Sequence, residues 1–161
     1  MIVVSDASPI NYLILIEAVH ILPTLFTQII IPHAVNLELL HSSAPSAVRR
    51  WISHKPDWLL VQHAKPEPEM DLQELDAGER EAIQLAIQTQ ADLIILDEYA
   101  ARRVANQRGL HLTGTLGVLN VAGQRALITI PQAVTRLRST SFRAAPSLYQ
   151  WLLEQHPDAS T

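Results

Sequence analysis

Residues 91–109 read ADLIILDEYAARRVANQRG. Asp92–Leu96 is a short apolar run stopped by Asp97, as expected of a strand buried on both faces. A helical stretch follows, and Gly109 marks its C-terminal stop. The same grammar opens the chain. Met1–Ser5 is an apolar run stopped by Asp6, and Ser8-Pro9 predicts an N-cap with proline at the first helical position of a helix to about Ile16. Gln28–Ile31, Trp58–Gln62 and the shorter Leu110–Leu112 are further strand candidates. Helices are expected at His20–Phe26, in HAVNLELLH after Pro32, at Val48–His54, over Ala77–Gln90, from TGTLGVLNVAGQRAL onward and through the remainder. Short apolar strands alternating with helices predict an α/β fold, with helices packed on a parallel sheet. The PEPEMD stretch at 66–71 reads as an exposed acidic connection. The expected organisation is one domain over residues 1–155 and a polar tail at 156–161.

Right-handed crossovers bring every strand's C-terminal end to one edge, where open α/β sheets bind ligands. Asp6 and Asp97 each close a buried strand and so share that edge. Each also suits a helix N-terminus, the more ordinary role for a single acid. Glu38 lies beside Leu39 and one turn from Ala34 and Val35, leaning toward the apolar side of its helix or reaching past it to solvent. At about 100° per residue, with Ile83 at 0°, Glu79 falls near −40°, between Ala86 near −60° and Ile87 near +40°. Glu81 falls near 160°, on the solvated face. Glu79 therefore runs in line with the core stripe, although a first-turn glutamate also suits the helix dipole. Four acids, Asp6, Glu38, Glu79 and Asp97, converge in this reading. Crowded carboxylates repel unless a cation joins them, and an all-oxygen donor set selects Mg²⁺ or Mn²⁺. Such ions activate water for phosphodiester hydrolysis.

Composition excludes much else. The 161 residues contain no cysteine, so disulfide scaffolds, thiol nucleophiles, iron–sulfur clusters and cysteine-ligated zinc are absent. The seven histidines form no HExxH motif, and no Walker loop, GxGxxG or GxSxG occurs. A receiver-like phosphotransfer domain built on Asp6 would need a second aspartate where Ser8 stands and a partner lysine, but only Lys55 and Lys65 exist. With 12 Lys+Arg against 16 Asp+Glu and a net charge of −4, any nucleic-acid contact must be local. The first 23 residues are broken by Asp6, Asn11, Glu17, His20 and Pro23, so neither a membrane span nor an export signal is expected, and a cytoplasmic protein is.

VVSDASPINYL, IIIPHAVNLELL, LDAGEREAIQLA and ADLIILDEYAARRVANQRGLHLTGTLGVL, in that order from about residue 2 to about 130, resemble PIN-domain proteins. The likeness is to the small prokaryotic type akin to toxins of toxin–antitoxin pairs. It implies a three-layer α/β/α sandwich and a Mg²⁺- or Mn²⁺-dependent endoribonuclease with Asp6, Glu38, Glu79 and Asp97 as catalytic and metal-binding acids. It also implies that Ser8 supports the first acid. Many members carry an aspartate near the start of the helix where Glu79 stands. After the last strand this chain offers Thr113 and Thr115 as supporting hydroxyls in place of a further acid. The resemblance makes Arg102 and Arg103 candidates for contact with RNA phosphate or an antitoxin, and Arg136, Arg138 and Arg143 form a second such cluster. A homodimer is expected, since Trp51, Trp58 and Trp151 suit an interface as well as a core. The alternative to an active ribonuclease is a PIN-fold module that binds RNA or protein without catalysis.

Overall fold

Successive side chains of a strand point to opposite faces, so a short all-apolar strand demands cover on both sides. That demand organises the computed structural model, which describes residues 1–67 and 72–157. Its elements are β1 (Val3–Ser5), α1 (Ala7–Leu15), α2 (Ile21–Phe26), β2 (Ile29–Pro32), α3 (His33–Leu40), α4 (Ser46–Ser53) and β3 (Leu59–Gln62). There follow α5 (Ala77–Gln88), β4 (Leu93–Ile95), α6 (Tyr99–Gln107), β5 (Leu112–Thr113), α7 (Thr115–Gln124), α8 (Ile130–Arg138) and α9 (Pro146–Glu154). The five strands form one parallel sheet in the order β3-β2-β1-β4-β5.

Two cores lie on its two faces. Val3, Ile29, Ile31, Leu59 and Ile95 join residues of α1, α2, α3, α4, α7, α8 and α9 in the larger one. Val4, Ile94 and Leu96 join Ala82, Ile83 and Ala86 of α5 and Ala101, Val104 and Ala105 of α6 in the other. The result is a PIN-like α/β/α sandwich. Trp51 and Trp58 sit with ring centroids 5.8 Å apart, partly buried against the larger core, whereas Trp151 is exposed. Of the acidic connection, Pro66 and Glu67 are described, and Glu67 Oε1 accepts a hydrogen bond from Gln88. Residues 68–71 lie outside the described residues, as does the tail from 158; His156 is hydrogen bonded to Asn120 of α7.

After β1 the chain moves outward through β2 and β3, then returns to β1's other side as β4. The direction of winding thus reverses between β1 and β4, and ligands of open α/β sheets bind outside the strand ends at that point. The register pairs Ser5 with Ile95, and the Asp6 amide donates to the Ile95 carbonyl at 3.1 Å. Asp6 and Asp97 therefore stand at the switch point itself. One expectation needs correction. Asp6, not Ser8, takes the N-cap position of the helix after β1, because the chain turns into the helix directly from the strand; Pro9 falls within the first turn, where its missing N–H is no loss.

Candidate active site

Asp6 occupies the N-cap position of α1, with φ −78° and ψ 174°, but its side chain makes no capping bond. Only 6% of the residue is exposed, and its buried Oδ1 has no hydrogen-bond partner. A buried carboxylate oxygen without a donor is costly, so this atom marks where a ligand belongs.

Asp97 is the opposite case. Thr115 donates its amide to Oδ1 and its hydroxyl to Oδ2, both at 2.7 Å, and Ser8 donates its hydroxyl to Oδ2 at 2.8 Å. Four-bond saturation is not reached, but the group is held rigidly from α7 and α1. Ser8 therefore supports the later acid, not the first as the resemblance implied. The second residue of α1 faces the neighbouring strand's end. Thr113 does not line the cleft; its hydroxyl packs toward Gly117 in the first turn of α7.

Glu79 is buried and locked into a capping box at the start of α5. Its amide donates to Asp76 Oδ1 at 2.8 Å, and its Oε2 accepts the Asp76 amide at 3.2 Å. The helix-start role and the inward position coexist in this residue. Glu81 is partly exposed and does not line the cleft. Between the acids, Gly78 lets α3 and α5 approach: a methyl there would meet Asp6 Oδ1 at 3.3 Å, Val35 Cγ2 at 3.4 Å and Glu38 Oε2 at 3.5 Å.

These side chains line a cleft of about 440 Å³, which also takes in Asp76 and Glu98. The structure thus brings together all four acids singled out from the sequence and adds two. Burial raises the Asp6 carboxyl from 3.8 to about 7, with the charges of Asp76, Glu38 and Glu79 adding to it and the Ala7 amide opposing. Burial likewise raises Glu79 to about 7, with Asp76 the next contributor, and raises the exposed-edge Glu38 for the same two reasons. Asp76 is thus the acidic neighbour common to all three. Its sequence signal was the spacing Asp76-x-x-Glu79, a capping-box pattern; Glu98 carried no signal beyond its place beside Asp97.

The donor set fits a hard divalent cation. Every candidate ligand is an oxygen, one is buried and unpartnered, and the crowding favours neutralisation. Among the described residues no three such side chains form a ready-made cage. Mg²⁺ keeps several waters and takes one or two carboxylates, so it does not require one. The arginines divide differently. Arg102 donates to the Leu96 carbonyl at 2.8 Å, Arg103 pairs with Glu74 at 3.7 Å, and neither lines the cleft; Arg143 does.

Residues 2–157 match the family described as PIN domain. No curated protein and no solved structure matches the chain.

Proposed function

The chain belongs to the PIN-domain family, and on that premise we propose that it is an endoribonuclease using Mg²⁺ or Mn²⁺ held by Asp6, Glu38, Glu79 and Asp97. PIN domains are generally nucleases. The observation that carries the reading is the buried, unpartnered Asp6 Oδ1 in a cleft lined by Glu38, Asp76, Glu79, Asp97 and Glu98.

A bound ion would supply an activated water and neutralise charge on the phosphodiester. The chain's own residues do the rest. Asp6 offers Oδ1 with no competing donor. Asp97, fixed by Ser8 and Thr115, keeps its carboxylate from swinging away when the cleft is loaded. Glu79 accepts the Asp76 amide through Oε2, which leaves Oε1, the oxygen outside the capping box, for the ion or its water. Asp76 holds Glu79 in place through the box.

The toxin-like resemblance extends the proposal to a small antitoxin-type partner, for which Arg103, paired with Glu74 but half-exposed, is the candidate contact on α6; Arg102 is engaged by Leu96. Leu148 and Trp151, exposed one turn apart on α9, support a homodimer. No helix among the described residues is long and apolar enough to cross a membrane.

The test is cleavage of labelled single-stranded and structured RNA. Cleavage in Mn²⁺ or Mg²⁺ that stops in EDTA and is largely lost in Asp6→Asn is the expected result. Robust cleavage indifferent to both changes would overturn the metal-dependent reading. RNA binding without cleavage in any divalent cation would select the non-catalytic module instead.

A further inference from the structure

We propose that Arg143 grips a phosphate of the RNA strand from the wall of the cleft, and that a clamp between Tyr12 and residues 141–142 holds it there. The proposal rests on the ribonuclease reading and adds to it a substrate-binding residue outside the acid cluster.

Tyr12, Ser141, Phe142 and Arg143 line the same cleft as the six carboxylates. The segment 141–143 comes from the connection between α8 and α9, yet it is pinned to α1. The rings of Tyr12 and Phe142 meet edge-to-face at 5.1 Å and 76°, and Tyr12 Oη is 2.8 Å from Ser141 Oγ. On its own side, the Phe142 amide donates to Thr140 Oγ1, whose hydroxyl donates to the Leu137 carbonyl. Both aromatic rings also pack against the larger core. Since α1 begins immediately after Asp6, the clamp fixes the backbone of Arg143 relative to the acid at the switch point.

The arginines considered with it are otherwise occupied. Arg136 donates to the Ile16 carbonyl, Arg138 lies 4.7 Å from the centre of the Tyr149 ring, and Arg102 and Arg103 have partners on or beside α6. Arg143 has no hydrogen bond or ion pair among the described residues. Among the described residues it is also the only cation lining this cleft. A polyanion entering a cleft of carboxylates is repelled by all of them, and a divalent cation offsets two charges. Arg143 is exposed at the rim of the cleft, where its charge also reaches Tyr149; turned toward an entering strand it would add attraction, and its fork matches two phosphate oxygens at once. Phosphate contacts of this kind set position without reading sequence.

The experiment is steady-state cleavage of a fluorescein-labelled single-stranded RNA in Mn²⁺, with binding followed by anisotropy in Asp6→Asn across a salt series. Arg143→Ala should raise KM about tenfold, with a much smaller fall in kcat, and should flatten the salt dependence of binding by about one counterion's worth. Arg143→Lys should recover part of the loss, because a point charge replaces the fork. Tyr12→Phe should raise KM more modestly without changing the salt slope. Arg108→Ala, which removes an equal charge from the far end of α6, should change neither quantity. If wild type cleaves but Arg143→Ala keeps its KM and salt slope, the phosphate grip is wrong and the nuclease reading stands. If wild type neither cleaves nor binds RNA, the nuclease reading fails and takes this residue's role with it.

Discussion

Ser8 Oγ donates to Asp97 Oδ2 at 2.8 Å, tying the first turn of α1 to the loop that closes β4. Thr115 completes the arrangement from α7, so three elements meet on one carboxylate. Removing the serine hydroxyl leaves both Thr115 bonds intact and frees one side of Asp97. Ser8→Ala should cost about 1–2 kcal/mol in chemical denaturation and lower kcat more than it raises KM. An unchanged denaturation midpoint and rate would show that the bond does neither job.

A second expectation concerns pH in the absence of metal. Asp6 and Glu79 are raised from ordinary carboxylate values to about 7, chiefly by burial. Between about pH 4 and 7 the folded chain therefore holds protons that the unfolded chain has released, and stability falls as pH rises through that window. Below it the penalty vanishes. In EDTA, wild type should melt several degrees lower at pH 8 than at pH 5.5, a difference on the order of a few kcal/mol. Asp6→Asn and Glu79→Gln should each flatten the profile and melt above wild type at pH 8; glutamine can still accept the Asp76 amide, so the box survives. Glu81→Gln should leave the profile unchanged. Wild-type stability that rises from pH 5.5 to 8 would contradict the crowded site.

Gly78 offers a steric test. Alanine there is favoured by helix propensity, by about 1 kcal/mol, so the variant should fold. Its methyl would stand 3.3 Å from Asp6 Oδ1, the oxygen assigned to the metal, and 3.5 Å from Glu38 Oε2. The gain in melting temperature on adding Mn²⁺ should shrink sharply. Gly109→Ala is the converse: nothing lies within 4 Å, but its φ of +76° makes alanine strained, costing about 1 kcal/mol with the Mn²⁺ response intact. A full Mn²⁺ response in Gly78→Ala would remove Asp6 Oδ1 from the metal's reach.

The strand-closing acids were legible because chain direction in a parallel sheet decides which edge a strand's last residue reaches, and Asp6 and Asp97 needed only that. Glu79 was legible from helical phase, since the residue runs in line with Ile83 and Ala86, both buried. Asp76 was not, because it lies just outside α5, where no periodicity applies; only its three-residue spacing to Glu79 marked it. The direction of the Ser8 hydroxyl depends on β4 lying beside β1, a pairing about ninety residues apart in sequence. The far wall was hidden for a similar reason. Arg136, Arg138 and Arg143 lie close in sequence, but Phe142 packing on Tyr12 brings the last to the rim of the cleft, still near Tyr149, while Arg136 bonds Ile16 and Arg138 lies over the Tyr149 ring.

The central claim is that Asp6 and its neighbours seat a divalent cation, and calorimetric titration of Mn²⁺ into the metal-free chain at pH 7.5 tests it most directly. Wild type should show saturable binding accompanied by proton release, since carboxyls raised to about 7 must ionise to ligate. At 100 times the dissociation constant the ion should add about 2.7 kcal/mol to stability. Asp6→Asn and Glu79→Gln should weaken binding sharply, and Glu81→Gln should leave it alone. Saturable Mn²⁺ binding of equal affinity in wild type, Asp6→Asn and Glu79→Gln, or none in wild type, would contradict the account.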